Sequence, residues 1–194
     1  MATNNAVNVQ LSGSTGTGAF VGNNSPTLIS PALGSATATS LTFGNGNPGI
    51  VGINGSNLAQ AGSVGQIVSS NISSGSAVSI TTDIIQNMTS ISLTAGDWDI
   101  FGNLVFNGGA TTIVKKLSGW ISSTSATAPD DSLIASYSYG TTGVAVFAQA
   151  PVGFSSPAIN LQLAATTTIY ISVLATFTTS TCTTYGLIFA RRRR

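Results

Sequence analysis

The chain has 194 residues, of which only 6% are charged and 42% are hydrophobic, and its formal net charge is +1. It contains no histidine and no glutamate, which excludes a Ser-His-Asp triad, a Cys-His pair and a histidine-ligated metal. The hydrophobic content argues against disorder, and a single cysteine, Cys182, excludes a disulfide-stapled domain. Because Ser, Thr, Val and Ile are abundant while surface helix formers are scarce, the composition favours an all-β protein.

Residues 1–60 carry no charged side chain and contain short apolar stretches separated by Gly, Pro, Ser, Thr and Asn. Such stretches are too short to form a core, so we predict an extended, non-globular segment that docks on another surface or entwines with copies of itself. It ends in a Gly-rich linker over 44–57. The N-terminus has no signal-peptide pattern and no apolar run approaches the ~20 residues of a membrane span. We therefore expect synthesis in the cytosol and no membrane insertion.

Residues 61–194 are predicted to form one β domain, because short alternating segments recur between Gly, Ser, Pro and Asp turns. This spacing is typical of a β-sandwich or jelly roll. The predicted strands cover 76–81, 88–94, 97–107, 111–123, 131–138, 144–150, 159–164, 168–177 and 185–190.

Two of these strands show which side chains share a face. In 97–107 one face carries Trp98, Ile100, Gly102, Leu104 and Phe106, and in 168–177 one face carries Ile169, Ile171, Val173, Ala175 and Phe177. The opposite face of 168–177 is also partly apolar, with Tyr170 and Leu174. A strand that is apolar on both faces needs a second covering, so we expect a homo-oligomer.

The aromatic residues in or beside predicted loops are Trp120, Tyr137, Tyr139 and Phe154. Trp120 alternates with Ser118 and Ser122, which places it on a polar face. Exposed Trp and Tyr side chains anchor binding and stack on sugars. These residues are candidate contacts with a sugar-bearing surface, and ordinary packing is the alternative that the pattern leaves open.

Asp97 and Asp99 lie two residues apart on one predicted strand, so their side chains share a face at about 7 Å. Two carboxylates near this spacing can in principle hydrolyse a glycosidic bond. A polar strand edge is the favoured interpretation, and we predict no catalytic residue, no metal site and no cofactor. Cys182 lies among β-forming residues without a basic neighbour, which indicates a small buried side chain.

The stretch "SGSTGTGAFVGNNSPTLISPALGSATATSLTFG" (12–44) resembles a segment that recurs in tail-fibre and other virion proteins of tailed bacteriophages. The resemblance is carried by the TGTG-type turn, the following apolar piece, the S-P-T-L and the P-x-L-G. It implies docking onto other virion proteins. The residues it assigns to docking are Phe20, Val21, Pro26, Leu28, Ile29, Pro31 and Leu33.

The stretches "SISLTAGDWDIFGNLVF" and "TTTIYISVLATFTTSTCTTYGLIFARRRR" resemble the C-terminal domain of the same kind of protein. They are also similar to the strand patterns of tumour-necrosis-factor/C1q-type jelly rolls, which form tight trimers. The resemblance implies a homotrimeric virion protein that acts as a short tail fibre and adsorbs to a host-surface glycan. A head fibre or decoration protein on the capsid is the alternative, and a depolymerase is the least favoured.

Four of the six basic residues are the C-terminal Arg191–Arg194. Because they follow an apolar strand directly, we predict a solubilising strand stop that blocks edge growth. Docking to an acidic virion neighbour or to anionic host lipopolysaccharide is the alternative. Nucleic-acid binding is not expected, since no other basic patch supports it.

Overall fold

A computed structural model of the protein describes residues 59–130, 133–148 and 150–193. These residues form ten strands and two short 3-10 turns, Ser74–Ser76 and Val146–Ala148. The strands are β1 (Ile67–Ile72), β2 (Val78–Ile80), β3 (Gln86–Leu93), β4 (Gly96–Gly108), β5 (Ile113–Ser122), β6 (Ala135–Ser138), β7 (Val152–Ser155), β8 (Ile159–Leu163), β9 (Thr167–Thr178) and β10 (Cys182–Arg192).

The strands pair antiparallel into two sheets. Sheet A has the order β1-β10-β4-β7, with β2 pairing with β10 and β8 pairing with β4, and sheet B has the order β3-β9-β5-β6. Apart from β5 and β6, neighbours in each sheet are therefore distant in sequence, with the first strand beside the last. This arrangement of two sheets is the jelly roll, and it confirms the predicted all-β sandwich.

The core lies between the sheets and follows the predicted alternation. The side chains predicted to share a face in β4 and in β9 are all buried, and Trp98, Leu104, Ile171 and Val173 are 0% exposed. Burial of these side chains is the main driving force for the sandwich.

One predicted strand, 144–150, is wrong. Val144 makes a single bridge to Val114, and the chain then turns into Val146–Ala148. The turn allows Phe147 to be buried against the core, where it is 7% exposed. The residues of this segment favour an extended strand, in which successive side chains would point to opposite faces. The turn forms instead because burial of the large Phe147 ring outweighs the strand propensity of the segment.

Two observed strands, Ile67–Ile72 and Val152–Ser155, were not predicted. Each pairs with sheet A along one side, β1 with β10 and β7 with β4. In β1 no side chain is fully buried, and β7 has only four residues. Edge strands of this kind carry a weak periodic signal because only part of one face meets the core.

Candidate functional site

Trp120, predicted as an exposed contact, is buried on the outward face of sheet B. It is 1% exposed, and its indole N–H donates to the carbonyl of Thr127 at 2.8 Å. Asn87 holds the same loop, because its Nδ2 donates to Ser125 Oγ at 2.7 Å and its Oδ1 accepts from the Ala126 N–H at 2.9 Å. The alternation predicted the correct face of the strand but not the loop that covers it. The prediction that Trp120 is a surface contact is therefore wrong for this chain.

Phe154 and Tyr137 are brought together at one edge of the sandwich. Phe154 is 9% exposed and stacks on Phe106 with ring centroids 5.5 Å apart. Tyr137 is 49% exposed, and its ring centroid lies 5.2 Å from that of Phe154. Phe154 is thus core rather than surface, which corrects its prediction, whereas Tyr137 presents its ring to solvent.

Tyr139, the fourth predicted contact, is half-buried. Its backbone N–H donates to the Lys115 carbonyl at 2.8 Å, and its ring packs against the core. Burial, and to a smaller extent the nearby Tyr137 phenolate, raise the pKa of the Tyr139 hydroxyl. A host-contact role for Tyr137 and Tyr139 stays a prediction.

Arg192 points into the sandwich and is 6% exposed. Its guanidinium lies 4.4 Å from the centroid of the Trp98 ring, which is a cation–π contact. Nη1 donates to the Ala95 carbonyl at 2.8 Å, Nε donates to Gln66 Oε1 at 3.2 Å, and Nη2 donates to Thr94 Oγ1. A buried arginine is tolerated here because its donors meet oxygen acceptors.

The other described arginines of the tail face outward. Arg191 is exposed, and Arg193 Nε lies 3.5 Å from Asp99 Oδ2. Strand β10 continues through Arg192, which pairs in register with Trp98. The prediction of a solvated strand stop is therefore wrong for Arg192, and Arg194 lies outside the described residues.

The outward face of sheet A carries two adjacent rows of polar side chains beside the last residues of β10. These polar rows are Asp97, Asp99, Asn160, Gln162, Arg191 and Arg193. In register, Asp97 lies opposite Gln162 and Asp99 lies opposite Asn160, while Asp99 has Arg191 on its other side. The sequence predicted the shared face of Asp97 and Asp99, but not that β8 would supply the two amides, because strand pairing between distant segments leaves no local signal.

A cavity of about 320 Å³ opens over the polar rows. Its lining residues are Asp97, Asn160, Gln162 and Arg193. Asn160 Nδ2 donates to Asp99 Oδ1 at 2.8 Å and to the Trp98 carbonyl at 3.4 Å. Asp97 has a further interaction partner and is 8% exposed.

Next to the polar rows, the same face of sheet A carries mainly apolar side chains, which surround Asn103 opposite Leu187. This apolar patch consists of Phe101, Val105, Tyr185, Leu187 and Phe189. Phe101 and Phe189 lie opposite each other in register and stack at 4.7 Å, and Val105 lies opposite Tyr185. Phe101 is 44% exposed.

Cys182 is buried, as predicted, at 1% exposure. Burial raises the pKa of its thiol to about 12, with a hydrogen bond to the Thr183 backbone acting in the opposite direction. Over the described part of the chain, no group of three or more His, Cys, Asp or Glu residues is placed to hold a metal ion. Within the same residues, no helix has the length and apolar character to cross a membrane.

The predicted docking residues Phe20, Val21, Pro26, Leu28, Ile29, Pro31 and Leu33 lie outside the described residues. The assignment of 1–60 to an extended anchor, of which 1–58 lie outside the described residues, therefore stays a prediction.

No protein-family model matches the sequence, and no curated protein matches it. Among solved structures, a chain from the "Structure of infectious bursal disease virus Gx strain" is similar, with a TM-score of 0.32 and 13% sequence identity. The match covers 66% of this chain and 29% of the viral chain, so the protein spans less than a third of that chain.

Proposed function

We propose that the protein is a virion structural protein of a tailed bacteriophage. In this proposal it is a short homotrimeric fibre, its N-terminal segment docks onto other virion proteins, and its jelly roll adsorbs to a host-surface glycan. The observation that carries the proposal is the apolar patch on sheet A, with the exposed Phe101 stacked on Phe189.

The apolar patch needs a covering. Contiguous exposed apolar surface marks an interaction site on a soluble protein, and aromatic side chains are enriched in the buried centres of interfaces. Only 6% of the residues are charged, so little electrostatic repulsion opposes association of identical chains. Closed symmetric assemblies are the usual outcome when identical chains associate.

The trimer and the virion location rest on the resemblance of residues 12–44 and of the strand pattern to phage fibre proteins. A trimer would present three equivalent binding sites. Weak individual sites then give strong attachment to a repetitive surface, since binding of the first site raises the effective concentration of the others.

The oligomer is tested by multi-angle light scattering on the full chain. The expected mass is three times the 19.5 kDa of the monomer. A monomer at micromolar concentration would overturn the trimer.

The location is tested by immunogold labelling of purified virions. A few copies at the tail would support the tail fibre. Hundreds of copies over the shell would replace it with the alternative, a head fibre or capsid decoration protein.

Adsorption is tested by competition with the full-length protein. The added protein is expected to bind host cells and to slow phage adsorption. Absence of both effects would overturn the adsorption role.

A further inference from the structure

The polar rows on sheet A form a compact set of hydrogen-bonding groups around a cavity. We propose that this cavity is a binding site for an uncharged sugar ring. This site is separate from the aromatic residues that the sequence suggested, two of which are buried. The inference rests on the proposed function for the source of the sugar, a host-surface glycan.

The lining supplies both donors and acceptors. Asp97 and Asn160 Oδ1 accept, Arg193 donates, and the Gln162 amide does both. Each hydroxyl of a sugar also donates and accepts, so neighbouring hydroxyls can bridge adjacent lining groups. Side chains on neighbouring strands are about 4.8 Å apart and rows on one strand about 7 Å apart, which places several polar groups within reach of one ring.

The charges within the polar rows balance. Two aspartates face two arginines, and Arg193 Nε lies 3.5 Å from Asp99 Oδ2. A phosphate or sulfate would meet two carboxylates, and a metal cation would meet two guanidinium groups. The balance therefore favours an uncharged polar ligand over either ion.

Two of the four lining residues, Asp97 and Asn160, are held in place before a ligand arrives. Asp97 is 8% exposed, and the Asn160 amide is fixed by the bonds to Asp99 and to the Trp98 carbonyl. All four lining residues extend from paired strands or follow one directly. Groups fixed in this way lose little conformational entropy on binding. The cavity of about 320 Å³ falls at the lower end of the size range of small-molecule sites.

The side-chain amides of Asn160 and Gln162 report directly on ligand binding in the cavity. The full-length protein, labelled with nitrogen-15, is titrated with the methyl glycosides of glucose, galactose, mannose and N-acetylglucosamine, and the Asn160 and Gln162 amide resonances are followed by NMR. We expect at least one glycoside to shift both resonances with a saturable, millimolar dissociation constant. Calcium chloride and inorganic phosphate, titrated in parallel, are expected to leave them unchanged.

Single substitutions test whether the glycoside binds in the cavity. Gln162→Ala removes an exposed amide that lines the cavity and should weaken glycoside binding at least 5-fold without changing the melting temperature. Asn71→Ala is the matched control, because Asn71 is an exposed amide of the same sheet that pairs opposite Leu187 and lies away from the cavity. Three outcomes would each overturn the proposal. They are no shift with any glycoside, equal glycoside binding by wild type and Gln162→Ala, and saturable shifts with calcium or phosphate alone.

Adsorption of the full-length protein to host cells separates the two proposals. If glycosides shift the amides but wild type does not bind cells, the site stands and the adsorption role fails. If wild type and Gln162→Ala bind cells equally and no glycoside shifts the amides, the site fails and the adsorption role stands.

Discussion

The two sheets of the sandwich differ in whether the chain covers their outward aromatic side chains. On sheet B, Trp120 is 1% exposed because the loop that follows β5 folds back over it. On sheet A, Phe101 stacks on Phe189 yet remains 44% exposed, and no segment within the described residues covers it as that loop covers Trp120. A jelly roll can thus cover an aromatic residue on one outer surface with its own chain and leave one on the other surface exposed.

This difference between the sheets also separates residues that contribute to stability from residues that would contribute to association. Trp120 is covered by hydrogen bonds within sheet B and the loop that follows β5, from Trp120 itself and from Asn87 two strands away. The apolar patch of sheet A lies next to the polar rows, so association and ligand binding would share one face of the molecule. Substitutions on the two sheets should therefore have different consequences.

The largest expected effect is on assembly. Leu187→Asp places a carboxylate in the apolar patch between the Phe101–Phe189 and Val105–Tyr185 pairs. Burial of an unpaired charge at an interface is strongly unfavourable, so we expect the trimer dissociation constant to rise about 30-fold or more. Analytical ultracentrifugation over a concentration series measures this.

Ser90→Asp is the control for that substitution. Ser90 is an exposed residue of β3 in sheet B, opposite Tyr170, and the same charge there should leave the oligomer unchanged. A Leu187→Asp protein that remains folded and trimeric would show that the apolar patch is not the interface.

The next effect is on the stability of the core beneath the polar rows. Arg192→Met keeps a long side chain but removes the cation–π contact with Trp98 and the bonds to Ala95, Thr94 and Gln66. We expect the free energy of unfolding to fall by about 2–4 kcal/mol. Urea denaturation at fixed protein concentration measures it.

Arg191→Ala tests whether the two sides of β10 differ as the structure indicates. Arg191 is exposed, so its removal should change the free energy of unfolding by less than about 0.5 kcal/mol. Equal losses for the two variants would contradict a structural role particular to Arg192.

A smaller effect is expected from releasing the loop over Trp120. Asn87→Ala removes the bonds to Ser125 and Ala126 and a third from Ser172 Oγ, at 2.8 Å. We expect a loss of about 1–3 kcal/mol and stronger acrylamide quenching of tryptophan fluorescence as Trp120 becomes accessible. Introducing Trp120→Phe together with Asn87→Ala should abolish the change in quenching. Unchanged quenching in Asn87→Ala would mean that the loop is held mainly by other contacts.

Sequence alternation predicted the inward faces of β4 and β9 because both strands are long and cross the whole core. It could not predict that Trp120 is covered, since the covering loop is rich in Ser and Thr and looks solvated. Nor could it place Arg192 on Trp98, because the two residues are 94 positions apart in the sequence. The polar rows likewise depend on the pairing of β4 with β8 and β10, which local pattern does not specify.

The smallest expected effect concerns the inward side of β10, whose outward side carries Tyr185 and Leu187. Burial raises the pKa of the Cys182 thiol from 9.0 to about 12, so between these values the folded protein keeps a proton that the unfolded chain has lost. The resulting stabilisation is complete below pH 9 and is lost as the pH rises through 12. Relative to Cys182→Ala, the wild type should lose about 1.4 kcal/mol of stability by pH 10, as measured by urea denaturation at pH 7, 9 and 10. The native thiol should also resist labelling by a disulfide reagent at pH 8, since only a thiolate with access to solvent reacts. Rapid labelling of the native protein would mean that the inward side of β10 opens to solvent. The contrast between a buried inward side and an exposed outward side of β10 would then not hold.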